Sequence, residues 1–240
     1  MTDELQEMPD AVDSRGNIFQ KLGWLFFSPQ KLFESIAQRP SWWEPFIWVS
    51  VCAVIGVRVF YPIQMALMRL NARGVPQEKL DQTIETMSKF YAAGYITAPI
   101  ASIVQVLLVA FLGYLVLSVL STQANFKKYF TLYFHSFIIV SLGSLLSLVL
   151  ARQRGVDDIQ SAADATVSFG LDFLVSPSHT YLNALASSIN VFAVWSYIIM
   201  VMGLMSIFGL TRNKAITALI PLWLIFAVLS MVGAKFSNML

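Results

Sequence analysis

Charge is distributed along this chain in a way that leaves few folds open. Five stretches, 46–68, 98–120, 129–150, 186–210 and 215–234, hold 113 of the 240 residues and a single formally charged side chain, Arg58. The other 29 Lys, Arg, Asp and Glu residues lie between and around them. Each stretch has the roughly 20 residues that a helix rising ~1.5 Å per residue needs to cross a hydrocarbon core of ~30 Å. In lipid every backbone N–H and C=O must be satisfied within the protein, which leaves helices or a closed barrel. The two-residue alternation of a barrel strand is missing from these stretches. The expected fold class is therefore all-α, an integral membrane bundle of five transmembrane helices.

Composition agrees. Charged residues are 12% of the chain and mean hydropathy is +0.66, against a charged share of roughly 25% in soluble domains. A net charge of +2 offers no basic field for nucleic acid. The one cysteine, Cys52, stands inside an apolar run and reads as a small buried hydrophobe. No Cys/His spacing for a metal is present, and no cofactor is expected.

The segments outside the spans carry their own patterns. Residues 1–16 include Asp3, Glu4, Glu7 and Asp10 and read as a short acidic disordered tail, opposite in sign to a signal-peptide n-region. Residues 17–45 read as an interfacial amphipathic segment. Ser28-Pro29 is an N-cap followed by the favoured first helical residue; Leu32, Phe33 and Ile36 then share one face, and Lys31, Glu34 and Arg39 the other. Trp42, Trp43 and Trp48 mark an interfacial belt ahead of the first span. The apolar face of this segment suits either lipid or a docking partner. A second amphipathic helix is expected over 76–93, where Leu80, Ile84, Met87 and Tyr91 recur at helical spacing. It should fold over the bundle or the headgroups. Residues 46–240 form the five-helix transmembrane domain.

Orientation follows from the short loops. Lys127, Lys128, Arg212 and Lys214 lie in two short links without acids, on the side of Arg15, Lys21, Lys31 and Arg39. The positive-inside bias places that side, with the N-terminus, in the cytoplasm and the C-terminus outside. A weak internal repeat pairs 113–120 with 203–210, each followed by a basic turn.

Several local patterns resemble the Yip family of five-span membrane proteins, the Ypt/Rab-interacting proteins and their bacterial relatives. They are Phe26-Phe27-Ser28-Pro29 running into Lys31-Leu32-Phe33-Glu34, then Pro40-Ser41-Trp42-Trp43 before the first span. Asn190-Val191-Phe192-Ala193-Val194-Trp195 and Gly203-Leu204 follow, ending in Gly209-Leu210-Thr211-Arg212-Asn213-Lys214-Ala215. The resemblance covers about residues 17–235 and implies a cytoplasmic N-terminus and an outer C-terminus. Eukaryotic members carry long cytoplasmic N-terminal regions and act with small GTPases in vesicle traffic. With 45 residues ahead of its first span, this chain looks like a bacterial member, placed in the inner membrane, for which the family implies no settled activity.

Chemistry in a membrane helix starts from its ionisable residues. Arg58 is thirteenth of 23 in its stretch, hence near mid-membrane by residue count, and no span offers it a carboxylate. Gln105, His135 and Asn190 on other spans are its candidate polar companions, and a lipid phosphate or other anion is its candidate ligand. The competing reading has Pro62 break the helix, so that Arg58 snorkels to an interface. His135 and the serines beyond it read as interhelical hydrogen bonding, and Gly143 with Ser147 as close helix packing. His179, near Asp172, Ser176 and Ser178, has no nucleophile elbow or other catalytic motif around it. Two functions remain. The first is a non-enzymatic multipass protein that organises membrane or binds a membrane-protein partner or a second copy of itself, among membrane lipids. The second is a small transporter, or an accessory subunit of one, with an anion or lipid-phosphate site at Arg58. A polar path through Arg58, Gln105, His135 and Asn190 would favour the second, provided the four converge on one cavity.

Overall fold

A computed structural model describes residues 16–72, 76–155, 158–159, 161–176 and 179–237, without the side chains of 162–163, 229 and 232–237. The acidic tail, apart from Gly16, lies outside the described residues. The elements are all helical: α1 (Ile18–Phe27), α2 (Pro29–Gln38), α3 (Trp43–Asn71), α4 (Gln77–Leu120), α5 (Phe126–Gln153), α6 (Thr180–Ser188), α7 (Val191–Phe208) and α8 (Arg212–Ser237). Among the described residues four helices, α3, α4, α5 and α7, are long and apolar enough to cross a membrane. The stretch 215–234 lies within α8, which is not one of those four.

Helix α5 is the axis. Tyr129, Phe134, Leu132 and Ile138 are buried along it, and α2, α3, α4 and α7 all pack on it. Two glycines of the weak repeat let their helices approach from either flank. A Cβ at Gly113 on α4 would strike the phenol of Tyr129, and one at Gly203 on α7 would strike Leu132. Close approach of this kind is how helices associate where no hydrophobic effect drives them together. At one end of the bundle, here the basic end, the turn 121–125 meets the turn 209–211, where Gly209 takes the left-handed conformation (φ 63°) that ends α7. The opposite end carries the loop 154–179.

The N-terminal segment forms two helices, of which α2 begins where Ser28-Pro29 predicts. Asn17 and Gln20 cap α1 reciprocally, each side chain accepting from the other's backbone N–H at 2.9 and 2.8 Å. Ser28 occupies the N-cap position of α2 without a capping hydrogen bond, so Pro29 alone sets that start. What covers the apolar face differs from expectation. Leu25, Leu32, Phe33 and Ile36, all within 2% of full burial, join the main core with Phe134 and Leu204. The chain's own α5 and α7 take the place foreseen for lipid or a partner.

Two further expectations are corrected. The amphipathic helix over 76–93 does not fold over the bundle but continues without a break into the second span as the 44-residue α4, about 66 Å long. Its stripe of Leu80, Ile84, Met87 and Tyr91 is half-buried, with Tyr91 meeting Tyr61 edge-on and Gly94 facing Val57 on α3. The C-terminal half of α3 and the N-terminal part of α4 thus form a two-helix hairpin. The stretch 186–210, expected as one span, is divided at Ile189–Asn190 into α6 and α7. Asn190 caps α7 through Oδ1, which accepts from the backbone N–H of Ala193 at 2.9 Å, and so starts a new helix where hydropathy alone continues the old one.

Candidate functional site

Arg58 lies on the exposed row of α3 formed by Ile47, Val51 and Ile55. Its depth can be measured against the parallel helix α5. Phe46 meets Phe134 edge-on, with ring centroids 6.4 Å apart, and a Cβ at Gly56 would lie 3.9 Å from Leu148. Arg152, in the last turn of α5, donates from Nη1 to the carbonyl of Arg58 at 3.4 Å. Arg58 is therefore level with the loop end of α5, not with its middle. Pro62 explains the contact. Lacking an N–H, it cannot serve the carbonyl four residues earlier, which is that of Arg58; the guanidinium of Arg152 serves it instead. Pro62 consequently sits inside a continuous α3 and does not break it.

The other three nominated residues lie apart. Gln105 is exposed on α4 and lines a cavity of about 230 Å3 with Ser188, Ser196 and Trp223. His135 is 2% exposed, and its Nδ1 pairs with the carbonyl of Thr131 at 2.8 Å, one turn back on its own helix. Ser136 and Ser141 likewise donate to Tyr133 and Phe137 of α5. These three residues of the strip thus bond within their own helix and not across to another, because a carbonyl three or four residues back is always within reach. Asn190 caps α7 and lines a different cavity from Gln105. No cavity described here brings the four residues together.

Two features escaped the sequence reading. The first is a buried ion pair: Lys21 Nζ donates to both carboxylate oxygens of Glu44, at 2.8 and 2.7 Å, with both side chains under 10% exposed. It ties α1 to the first turn of α3, and Trp48 Nε1 adds a 3.4 Å bond to the carbonyl of Ile18. The partners stand 23 residues apart, and no helical spacing rule links them. The second is a polar cavity of about 610 Å3 at the loop end, between α5, α6 and the loop. Ser144, Ser168, Asp172, Asn183 and Asn190 line it. Ser147 pins its roof, its hydroxyl donating to Val167 O at 2.7 Å and accepting from Val167 N–H at 3.1 Å. Asp172 accepts from the hydroxyl of Ser168, and Asn183 Nδ2 donates to the carbonyls of Asp172 and Val175. Gly143 forms part of the wall and lies against Phe192, whose ring meets Phe169 edge-on. The lining offers hydroxyl and amide groups with one carboxylate, suited to hydrogen bonding rather than to a nucleophile–base pair. Asp172 is the one acid in that lining, and no spacing in the sequence links it to Ser144, Asn183 and Asn190. Among the described residues no group of three His, Cys, Asp or Glu could hold a metal.

A family model described as the Yip1 domain matches residues 24–233. The chain is also similar to the membrane protein YknW of Bacillus subtilis (strain 168), with 24% identity over 207 residues, 85% of each chain. No solved structure matches it.

Proposed function

Since this chain belongs to the Yip1-domain family, we propose that it is a non-enzymatic multipass membrane protein whose work is to bind another membrane protein and organise the bilayer around it. Helix α8 supplies a fifth crossing, the basic end faces the cytoplasm, and the loop end faces outward from a bacterial inner membrane. One observation carries the partner reading. Beyond Arg58, α3 continues about 20 Å to Asn71, and α4 descends beside it. This hairpin presents Glu78, Asp81, Gln82, Glu85 and Lys89 outward, with Phe90 69% exposed among them. A large aromatic ringed by charge, on a segment reaching past the end of α5, is the composition of a recognition surface rather than of a lipid-facing one.

A photo-crosslinking residue at Phe90, in the full chain in its own membrane, tests this. The expected result is one discrete heterologous adduct at 90, none from the same residue at Val119, and no anion flux in liposomes containing the purified protein. Flux that fails in Arg58→Ala, with no adduct at 90, overturns the proposal in favour of a transporter.

A further inference from the structure

The cavity of about 230 Å3 lined by Gln105 is walled by α4, α5, α7 and α8, with Ser188 at the end of α6. Five of its residues, Gln105, Tyr133, Ser196, Tyr197 and Trp223, carry amide, hydroxyl or indole donors, and no formally charged residue lines it. Among the described residues none of these five side chains makes a hydrogen bond. The α5 wall runs from Tyr133 to Val140, the midpoint of that 28-residue helix, and exposed Val104, Leu107 and Leu108 flank Gln105 on α4. At such a depth polar groups without a partner cost free energy. Four helices thus bring donors to one place and leave them for something else to pair.

Three features specify what that is. The lining is neutral, so a phosphate or an ammonium finds no counter-charge there. The rest of the wall is largely apolar and aromatic: the rings of Tyr133 and Phe137 lie 6.4 Å apart and 27° from parallel, a surface on which a planar ring can stack. The cavity also shares Tyr197, Leu219 and Trp223 with the apolar groove between α7 and α8, where Ile198 and Ile220 are exposed. A molecule dissolved in lipid therefore has a way in.

We propose that this cavity binds the head of a lipid-soluble quinone, a neutral planar ring whose carbonyl oxygens accept from these donors. The Trp223 N–H can only donate, and carbonyl oxygens only accept. The volume falls below the roughly 300–1,000 Å3 of sites for drug-sized ligands and suits one substituted ring, with its tail leaving towards the groove. Water alone would serve the donors but leave the rings of Phe137 and Phe226 with nothing to pack against. The site stands apart from the hairpin at Phe90 and does not rest on the partner reading.

The test uses the full-length protein in mild detergent, titrated with decylubiquinone and read by quenching of tryptophan fluorescence, with Trp223 on the wall as reporter. Quenching should saturate at one quinone per chain, and decylbenzene, which has the tail and a ring but no carbonyl, should not compete. Gln105→Leu with Tyr133→Phe should weaken binding by roughly tenfold or more, as for two neutral hydrogen bonds. Ala193→Leu, which narrows the cavity and leaves every donor in place, should weaken it as well. An unchanged melting temperature verifies that each variant folds. Quenching that does not saturate overturns the proposal and leaves the cavity to water. Equal competition by decylbenzene overturns it too, as does unchanged affinity in the double variant or in Ala193→Leu.

Discussion

Breaking the Lys21–Glu44 pair should cost far more than its location near the N-terminus suggests. Both side chains are under 10% exposed, and the ammonium sits 2.7–2.8 Å from both carboxylate oxygens. Removing one partner leaves the other charge buried without its counter-charge. Stranded buried charges cost about 3–5 kcal/mol. Taking about 3 kcal/mol, and a shift of roughly 2–4 °C per kcal/mol for a chain of this size, Lys21→Met or Glu44→Gln should lower the melting temperature by about 6–12 °C. The double variant should recover most of that loss, since no charge remains unpaired. Cys52 makes the measurement direct. It is the sole cysteine, 7% exposed, and lies two turns beyond Glu44 on α3. A thiol-reactive fluorophore therefore reports the unmasking of α3 as the protein is heated. Single variants melting within about 2 °C of the parent would refute the reasoning, as would a double variant that loses the sum of the two.

Four further outcomes follow from contacts already described. Arg152→Ala should cost about 1 kcal/mol in the parent and close to nothing in a Pro62→Ala background, where an N–H again serves the Arg58 carbonyl; denaturant titration of the four proteins checks it. Gly143→Leu should destabilise by more than about 3 kcal/mol, because even a Cβ there falls within the ring of Phe192 and 2.9 Å from its Cβ. Phe192→Ala should restore much of the loss in the same titration. Ser147→Ala removes both bonds to Val167, at a cost of about 1–3 kcal/mol, and hydrogen exchange at the Val167 amide should accelerate accordingly. Arg58→Cys in a Cys52→Ala background should react with a membrane-impermeant maleimide added at the loop side, as a residue level with Arg152 requires.

The broad outline was legible because it rests on quantities that add along the chain. Apolar runs locate α3, α4, α5 and α7, and the pattern of Leu32, Phe33 and Ile36 against Lys31 and Glu34 places the buried face of α2 correctly. Joins between elements were less legible. Asn190 is a good capping residue, yet an average over a window of hydropathy passes across it, and only its bond to Ala193 N–H shows that the helix restarts there. The reverse error occurs at Gly94 to Pro99. The expected helix over 76–93 and the expected span from 98 leave a break there, but Gly94 is packed against Val57, and the helix stays continuous where it has a neighbour along its length. The Lys21–Glu44 pair and the cavity under Ser147 join residues about 20 or more positions apart. No periodicity reports such pairings, because they depend on how the helices are set against one another.

The depth of Arg58 follows from the same distinction. Counting from the ends of its apolar run assumes that lipid is the only reason for a residue there to be apolar. On α3 there are two reasons. At its start α1 fills the flank, so that Phe46 is already level with Phe134, eight residues into α5. At its other end Phe60, Ile63 and Leu67 close a small second core with Ala151, Ile159 and Ala165 of the loop end. Those residues are apolar in order to pack against protein, beyond the level at which α5 ends. The run is thus one stretch with two settings, the exposed row of Ile47, Val51 and Ile55 before Arg58 and the loop-end core after it, and the arginine stands between them. An arginine at such a boundary can keep its head near water and its stem along the helix. The single charge among the five apolar stretches therefore stands level with the loop end of α5, and the residues around it are arranged for that position: Pro62 frees a carbonyl, and Arg152 takes it up.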